Sequence, residues 1–246
     1  MKKTHKIILM GTLIAVLLIA AVGLIYVFPM MSMTPSETGD IPDTGIFAVN
    51  NQLNCLYFIE TNDGYIVIDA GSNAKAVEQA LIEKNISPSD VKYVLLTHSD
   101  SDHVASLPLF TNAQIYMSED ELRMVDGTIK RNIFGIFNSL PDDIKPSNLS
   151  LLKEGEQMNL GEHTIECIKV PGHTVGSMAY LLDGQYLFTG DAFKVKNNMM
   201  SIHPYTMDTK TAEESIQNLS ELKTENILVI TAHYGYYNAS DLKHNI

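Results

Sequence analysis

The sequence predicts an α+β domain carried behind one N-terminal transmembrane helix, and three observations predict it. Ile7 to Phe28 runs 22 residues without a charge, the chain after it opens with short β-rich apolar runs broken by turns, and amphipathic helices then alternate with buried-type strands. The implied segmentation is a cytoplasmic basic segment over 1–6, a transmembrane anchor over 7–28, a tether over 29–45 and one folded domain over 46–246.

The N-terminus follows from charge and length. Lys2, Lys3 and Lys6 precede the uncharged run, which at ~1.5 Å per helical residue spans roughly 33 Å, close to a bilayer's hydrocarbon thickness. A cleaved signal peptide would have a shorter apolar core, ~7–15 residues, and a small-residue cleavage site, which the Tyr26 to Met31 border lacks. No Lys or Arg occurs between Lys6 and Lys75, so the positive-inside bias keeps the N-terminus cytoplasmic and puts the domain of a single-pass membrane protein on the extracytoplasmic side. Pro35, Gly39, Pro42 and Gly45 mark the tether.

Composition narrows the class of partner. The 45% apolar content fits a globular core, and 17 Lys plus Arg against 29 Asp plus Glu give a net charge of -12, a surface that repels phosphate backbones and excludes nucleic acid as a partner. The two cysteines, Cys55 and Cys167, each fall inside apolar runs. Core packing is favoured for them, with one disulfide as the alternative.

In chain order, Ile46 to Val49, Leu53 to Ile59 and Tyr65 to Ile68 read as strands, with Asn62-Asp63-Gly64 as a hairpin turn between the last two. Asn73 to Lys84 is an amphipathic helix with Asn73 placed to cap it. Val91 to Leu96 is a buried strand, Gln114 to Met117 another, and Glu119 to Val125 a helix. Between Gly127 and Leu151 the apolar residues Ile133, Phe134, Phe137 and Leu140 recur at helical spacing, which fits either core or a lid over a pocket. Thr164 to Val170, Met178 to Leu182 and Tyr186 to Thr189 are strands, Thr211 to Leu222 is an amphipathic helix, and Ile227 to Ile230 is the last strand.

Chemistry concentrates behind these strands. Thr97-His98-Ser99-Asp100-Ser101-Asp102-His103 sets two imidazoles and two carboxylates into six residues, His98 to His103, at the end of a buried strand. Imidazole nitrogen with carboxylate oxygen suits zinc, manganese or iron, whereas calcium and magnesium take all-oxygen sets. If the loop stays extended, alternation groups His98, Asp100 and Asp102 and turns His103 away. Three further donors follow strands downstream: His173 in Pro171-Gly172-His173-Thr174, Asp191 after Gly190, and His233 in Thr231-Ala232-His233. A lone histidine at a strand end is usually a satisfied core or surface residue. Three such residues downstream of a four-donor loop form one set. Tyr205, His203, Tyr234, Lys194 and Lys196 lie near the last donors in sequence, with packing or surface roles favoured for each. Asp69, ending the third strand, is either a turn residue or a carboxylate supporting a ligating histidine.

These residues, in this order, resemble the metallo-β-lactamase superfamily, in particular its glyoxalase II-like and lactonase-like hydrolases, over essentially Ile46 to Tyr237. The family pattern H-x-H-x-D-H, then His, Asp and His, corresponds to His98, Asp100, Asp102, His103, His173, Asp191 and His233. The resemblance implies an αββα sandwich with a metal pair at one sheet edge. His98, Asp100 and His173 would hold the first ion and Asp102, His103 and His233 the second, with Asp191 bridging and Asp69 behind. Two departures stand out: family hydrolases commonly carry His where Asp100 stands, and Val104-Ala105-Ser106 replaces a Gly-rich continuation. An oxygen donor at 100 hardens the first position, favouring iron or manganese over zinc there or leaving it empty.

The expected activity is that of a metallo-hydrolase using two divalent ions, zinc favoured and iron or manganese as alternatives, on a small-molecule ester, thioester, lactone or amide. Such ions lower the pKa of bound water toward ~7, with Asp102 and Asp191 as the catalytic carboxylates. The other readings are a di-iron oxidoreductase of the same fold and a metal-binding ectodomain without turnover. The oligomeric state is left open.

Overall fold

The computed structural model describes residues 2–133, 136, 138–222 and 226–244, the side chains of 2–7, 9, 25 and 26 excepted. The chain divides into two compact units, Met1–Met33 and Thr34–Ile246.

In the first unit, helix α1 (Lys2–Val22) passes into a π-helical turn over Gly23–Val27, closed by the Phe28 N–H on the Gly23 carbonyl, and then into a short α2 (Phe28–Met30). The apolar part of α1, from Ile7 to Val22, is about 24 Å long at ~1.5 Å per residue, short of the ~30 Å of a hydrocarbon core. Among the described residues no helix is long and apolar enough to cross a membrane. The expectation of one transmembrane helix over 7–28 is therefore not supported by α1 itself, because the uncharged run is divided between two helical geometries.

The second unit contains, in order, β1 (Gly39–Asp40), β2 (Ile46–Asn51), β3 (Asn54–Thr61), β4 (Gly64–Ile68), α3 (Ala74–Lys84), β5 (Val91–Leu95), α4 (Ser101–Val104), β6 (Gln114–Ser118), α5 (Glu119–Val125), β7 (Leu149–Leu152), β8 (Gln157–Leu160), β9 (His163–Lys169), β10 (Met178–Leu182), β11 (Tyr186–Phe188), β12 (Lys194–Lys196), β13 (Met199–Ser201), α6 (Thr209–Glu221), β14 (Leu228–Ile230), β15 (Tyr236–Asn238) and β16 (Lys243–His244). Seven strands, β1 to β7, form one sheet in sequence order. It is antiparallel through β4 and parallel from β4 to β7. Six form a second sheet in the order β15-β14-β11-β10-β9-β8, with β11 and β14 its parallel pair. β12, β13 and β16 make a third, small sheet.

Alternation along the strands builds the layers. In β3, Leu56 and Phe58 face one core with Val77, Ala80 and Leu81 of α3, while Cys55, Tyr57 and Ile59 face a second core with Ile165, Cys167, Tyr180 and Phe188 of the other sheet. Both faces of β3 are covered, which is why its sequence is a continuous apolar run rather than an alternating one. On the second sheet, Phe188 and Ile230 point into the shared core, and their neighbours Leu187 and Val229 line a cavity with Leu219 of α6. Helix, sheet, sheet, helix is the layer order the resemblance implied.

Local chemistry sets the ends. Asn73 caps α3, its side chain accepting from the Ala76 N–H, and Asp208 caps α6 through the Lys210 and Thr211 N–H groups. Both cysteines are free, buried in the inter-sheet core, and burial pushes each thiol up to about 12. Within the expected tether, residues from Thr34 onward belong to the folded unit: the Thr34 N–H donates to the His233 carbonyl, β1 pairs with β2, and Ile41 is buried in the inter-sheet core. The helical spacing expected over 133–140 is not realised among the described residues, where Leu140 packs as an irregular segment against the first core. Phe134 and Phe137 lie outside the described residues.

Candidate metal centre

Four strand ends deliver the donors to one edge of the sandwich. β5 leads into His98, β9 into His173, β11 into Asp191 and β14 into His233. Two tyrosines buried between the sheets fix two of these ends, those of β5 and β14: the Tyr180 hydroxyl donates to the Leu96 carbonyl at 2.6 Å, and the Tyr57 hydroxyl to the Thr231 carbonyl at 2.7 Å. A Cβ on Gly172 would lie 2.5 Å from the Ala212 backbone, and one on Gly190 would lie 2.5 Å from Thr97 Oγ1. Both glycines also have positive φ, so each turn that presents a donor admits only glycine comfortably.

All seven expected donors converge. Asp191 lies in the middle, its Oδ2 3.8 Å from His98 Nε2 and 3.5 Å from His173 Nε2, its Oδ1 3.6 Å from His103 Nε2 and 3.2 Å from His233 Nε2. Asp100 Oδ2 completes a first group with His98 (3.6 Å) and His173 (3.2 Å), and Asp102 Oδ2 a second with His103 (3.7 Å) and His233 (3.5 Å). Simple alternation along an extended loop gave a different grouping. The chain enters α4 at Ser101, and that turn swings Asp102 and His103 together toward the second group.

The rings are held from behind. His103 Nδ1 donates to Asp69 Oδ2 at 2.8 Å, His233 Nδ1 to the Leu53 carbonyl at 2.6 Å, and His98 Nδ1 to Thr97 Oγ1 at 3.0 Å. Thr97 in turn donates its N–H and hydroxyl to Asp69. Protons on Nδ1 leave the Nε2 lone pairs facing the cluster.

Burial tends to raise the Asp191 and Asp100 carboxyls. The neighbouring imidazoles outweigh it and hold both well below the ordinary range: His203, His233 and His103 for Asp191, His98 and His173 for Asp100. Burial opposes charge on the histidines too, yet Asp69, Asp102 and Asp191 raise His103 well above its usual value, and Asp191 and Asp102 raise His233. Burial prevails at His173 and His203, which are lowered.

The fit to a cation differs between the two groups. Ligand atoms ~2.0–2.2 Å from a tetrahedral ion stand roughly 3.3–3.6 Å apart, close to the separations in the second group. There His103 Nε2 and Asp191 Oδ1 are buried without a hydrogen-bond partner, which a cation would supply. The first group has suitable spacing and an orphaned His98 Nε2, but the Arg131 guanidinium already stands in it, Nη2 3.0 Å from Asp100 Oδ2 and 3.2 Å from His173 Nε2. Asp102, its side chain 37% exposed, is the most open of the seven donors.

Four side chains of the site were not identified from sequence. His203, for which a packing or surface role was expected, is buried with Nδ1 3.5 Å from Asp191 Oδ2 and forms a further donor group with His173 and Asp191. Its signal was present, a histidine near the last donors in sequence, but no recognisable strand led into it. Arg131 and Asn138 come from the stretch between α5 and β7, Asn138 donating to Ser99 Oγ and Asp100 Oδ1. Glu121, on α5, is a buried carboxylate that accepts from the Ser99 N–H and hydroxyl and from the Thr174 hydroxyl. It ties the loop of His98 to the turn of His173. Nothing local in the sequence marks these last three.

Fold and donors together define a metallo-hydrolase centre. The metallo-beta-lactamase superfamily model matches residues 54–233, and the chain belongs to that family. A probable metallo-hydrolase of Methanocaldococcus jannaschii is 32% identical over 174 residues, 69% of this chain and 71% of that protein. A probable polyketide biosynthesis zinc-dependent hydrolase of Bacillus subtilis is 28% identical over 177 residues, 70% of this chain and 68% of that protein. Among solved structures, an archaeal superfamily protein of Sulfolobus tokodaii superposes with a TM-score of 0.58 at 21% identity over 81% of this chain and 84% of that one, a likeness of fold.

Proposed function

We propose that the chain is a metal-dependent hydrolase of a small-molecule ester, thioester, lactone or amide, with zinc as the favoured cation and iron or manganese as the alternatives. The observation that carries this reading is the second donor group: Asp102, His103 and His233 with Asp191 Oδ1, three of the four buried, at ligand-like spacing. A cation bound there supplies Lewis acidity and a lowered pKa for water. His98, Asp100 and His173 are the donors of the first position.

The chain's own residues then divide the work. Asp69 holds the His103 ring, and the Leu53 carbonyl holds that of His233, so their Nε2 atoms need no reorientation. Asp191 presents one oxygen to each position. Asp102, the donor open to solvent, orients the attacking water and takes up or returns its proton. The mixed imidazole and carboxylate donor set suits zinc, iron or manganese, and zinc is favoured because the Bacillus subtilis relative is named zinc-dependent.

The N-terminal run is proposed as a membrane contact with the catalytic domain on the extracytoplasmic side. Its support is the 22-residue uncharged stretch behind three lysines and the exposure of Leu13, Leu18, Ile19, Leu24 and Phe28 along the helix. Flotation of the full chain with liposomes, lost when residues 1–33 are removed, is the expected result.

Metal content and turnover test the catalytic reading together. Purified full chain should carry zinc, lose hydrolysis of at least one member of a thioester, lactone and ester panel on chelation, and regain it with zinc. Fully metallated protein that leaves the whole panel uncleaved would favour a binding role instead.

A further inference from the structure

We propose that the Arg131 guanidinium is the resident cation of the first position, so that the chain binds one metal ion tightly, at the second position, and excludes the other. The inference rests on the metal-centre reading above and specifies how the two positions differ.

Arg131 enters the centre from outside the strand framework and is held there. Its side chain is 2% exposed, and Nη2 donates to the Tyr205 carbonyl at 2.9 Å while lying 3.0 Å from Asp100 Oδ2 and 3.2 Å from His173 Nε2. Asn132 beside it donates to the Met207 carbonyl, and the Met207 N–H donates to the His173 carbonyl, so the arginine segment and the His173 turn are joined through one loop. Asn138 fixes the other oxygen of Asp100 at 2.9 Å.

This placement conflicts with an ion at the same donors. His173 Nε2 has either one proton or one lone pair. As a donor it is engaged with Asp100 Oδ2, and as an acceptor with Arg131, which has no acceptor of its own. A metal ion needs that same lone pair, and it needs Asp100 Oδ2, which the guanidinium already neutralises. The carboxylate at position 100 thereby finds its reason in this chain: a histidine there would bring no charge to balance a buried arginine, whereas aspartate does. No arginine or lysine contacts Asp102 among the described residues, where its ion-pair partners are His103 and His233 alone.

The test is stoichiometry on the full chain, read by elemental analysis after equilibrium dialysis against zinc and by cobalt(II) titration of the stripped protein. Wild type should saturate at one equivalent, and Arg131→Gln should take two, with a second set of cobalt absorption bands. The wild-type titration stands even if the variant fails to fold. Two equivalents in wild type would overturn the inference and leave the hydrolase reading intact, as would one equivalent in both proteins. No bound metal in wild type would overturn the inference and the hydrolase reading together.

Discussion

At the second position two carboxylates, Asp102 and Asp191, face two imidazoles, and Asp69 adds a third carboxylate behind His103. At the first, the single carboxylate that belongs to that position alone, Asp100, is paired with Arg131. The first position is close to neutral as it stands, whereas the second carries an excess of negative charge. That excess shows in the histidines. Against the effect of burial, His103 and His233 are pushed up by their carboxylates, while burial keeps His173 down. The carboxylate field that raises these two imidazoles is the field that would hold a dication.

The sharpest way to break this comparison is to remove one histidine from each side. His103→Ala should lose the bound ion and reduce hydrolysis to background, an effect beyond the ~10–100-fold that loss of a merely supporting group costs. His173→Ala should retain one ion per chain by elemental analysis. Equal metal loss from the two variants would show that the positions are not distinct.

A milder test acts from behind the second position only. Asp69→Asn keeps the shape but weakens the grip on the His103 ring and on the Thr97 N–H and hydroxyl. Zinc affinity by competition with a chromophoric chelator should fall ~10–100-fold. The matching change behind the first position is Glu121→Gln, which weakens hydrogen bonds to Ser99 and Thr174. It should lower unfolding free energy by ~1–3 kcal/mol in denaturant titration while the ion at the second position remains bound.

These supporting groups also show where sequence reading stops. The seven donors were legible because each follows a recognisable strand and four of them crowd one loop, so residue type and order were enough. Glu121 was legible only as a helix residue and Arg131 as one cation in an acidic chain, because burial of a charge depends on a partner far away in sequence, Thr174 and Asp100 here. The fold divides in the same way. Continuous apolar runs such as β3 and β5 were read within a residue or two. β8, half-exposed with the sequence Gln-Met-Asn-Leu, and the two-residue β1 and β16 carry too few apolar side chains to register and exist because a neighbouring strand offers them hydrogen bonds.

The smallest expected effect is a control on the electrostatic half of the comparison, taken at a histidine away from the centre. His163, on β9, has Nδ1 2.6 Å from Asp183 Oδ2 and Nε2 3.0 Å from the Glu60 carbonyl, so both nitrogens face acceptors, as the doubly protonated ring requires. Burial opposes the charge, but these two acceptors outweigh it and raise the pKa. A folded-state pKa above the unfolded value near ~6.5 means that the ring stabilises the fold fully below that value and loses the contribution as pH rises through the raised one. The Tm difference between wild type and His163→Gln should therefore be largest near pH 5.5 and shrink toward pH 8. For a partly exposed pair it should correspond to at most ~1 kcal/mol. Metal content should be the same in both proteins at each pH, so that any pH-dependent loss of the ion belongs to the centre. A metal content that followed His163 would mean that charge at the far end of β9 reaches the donors, and the contrast between the two positions could no longer be assigned to their own carboxylates.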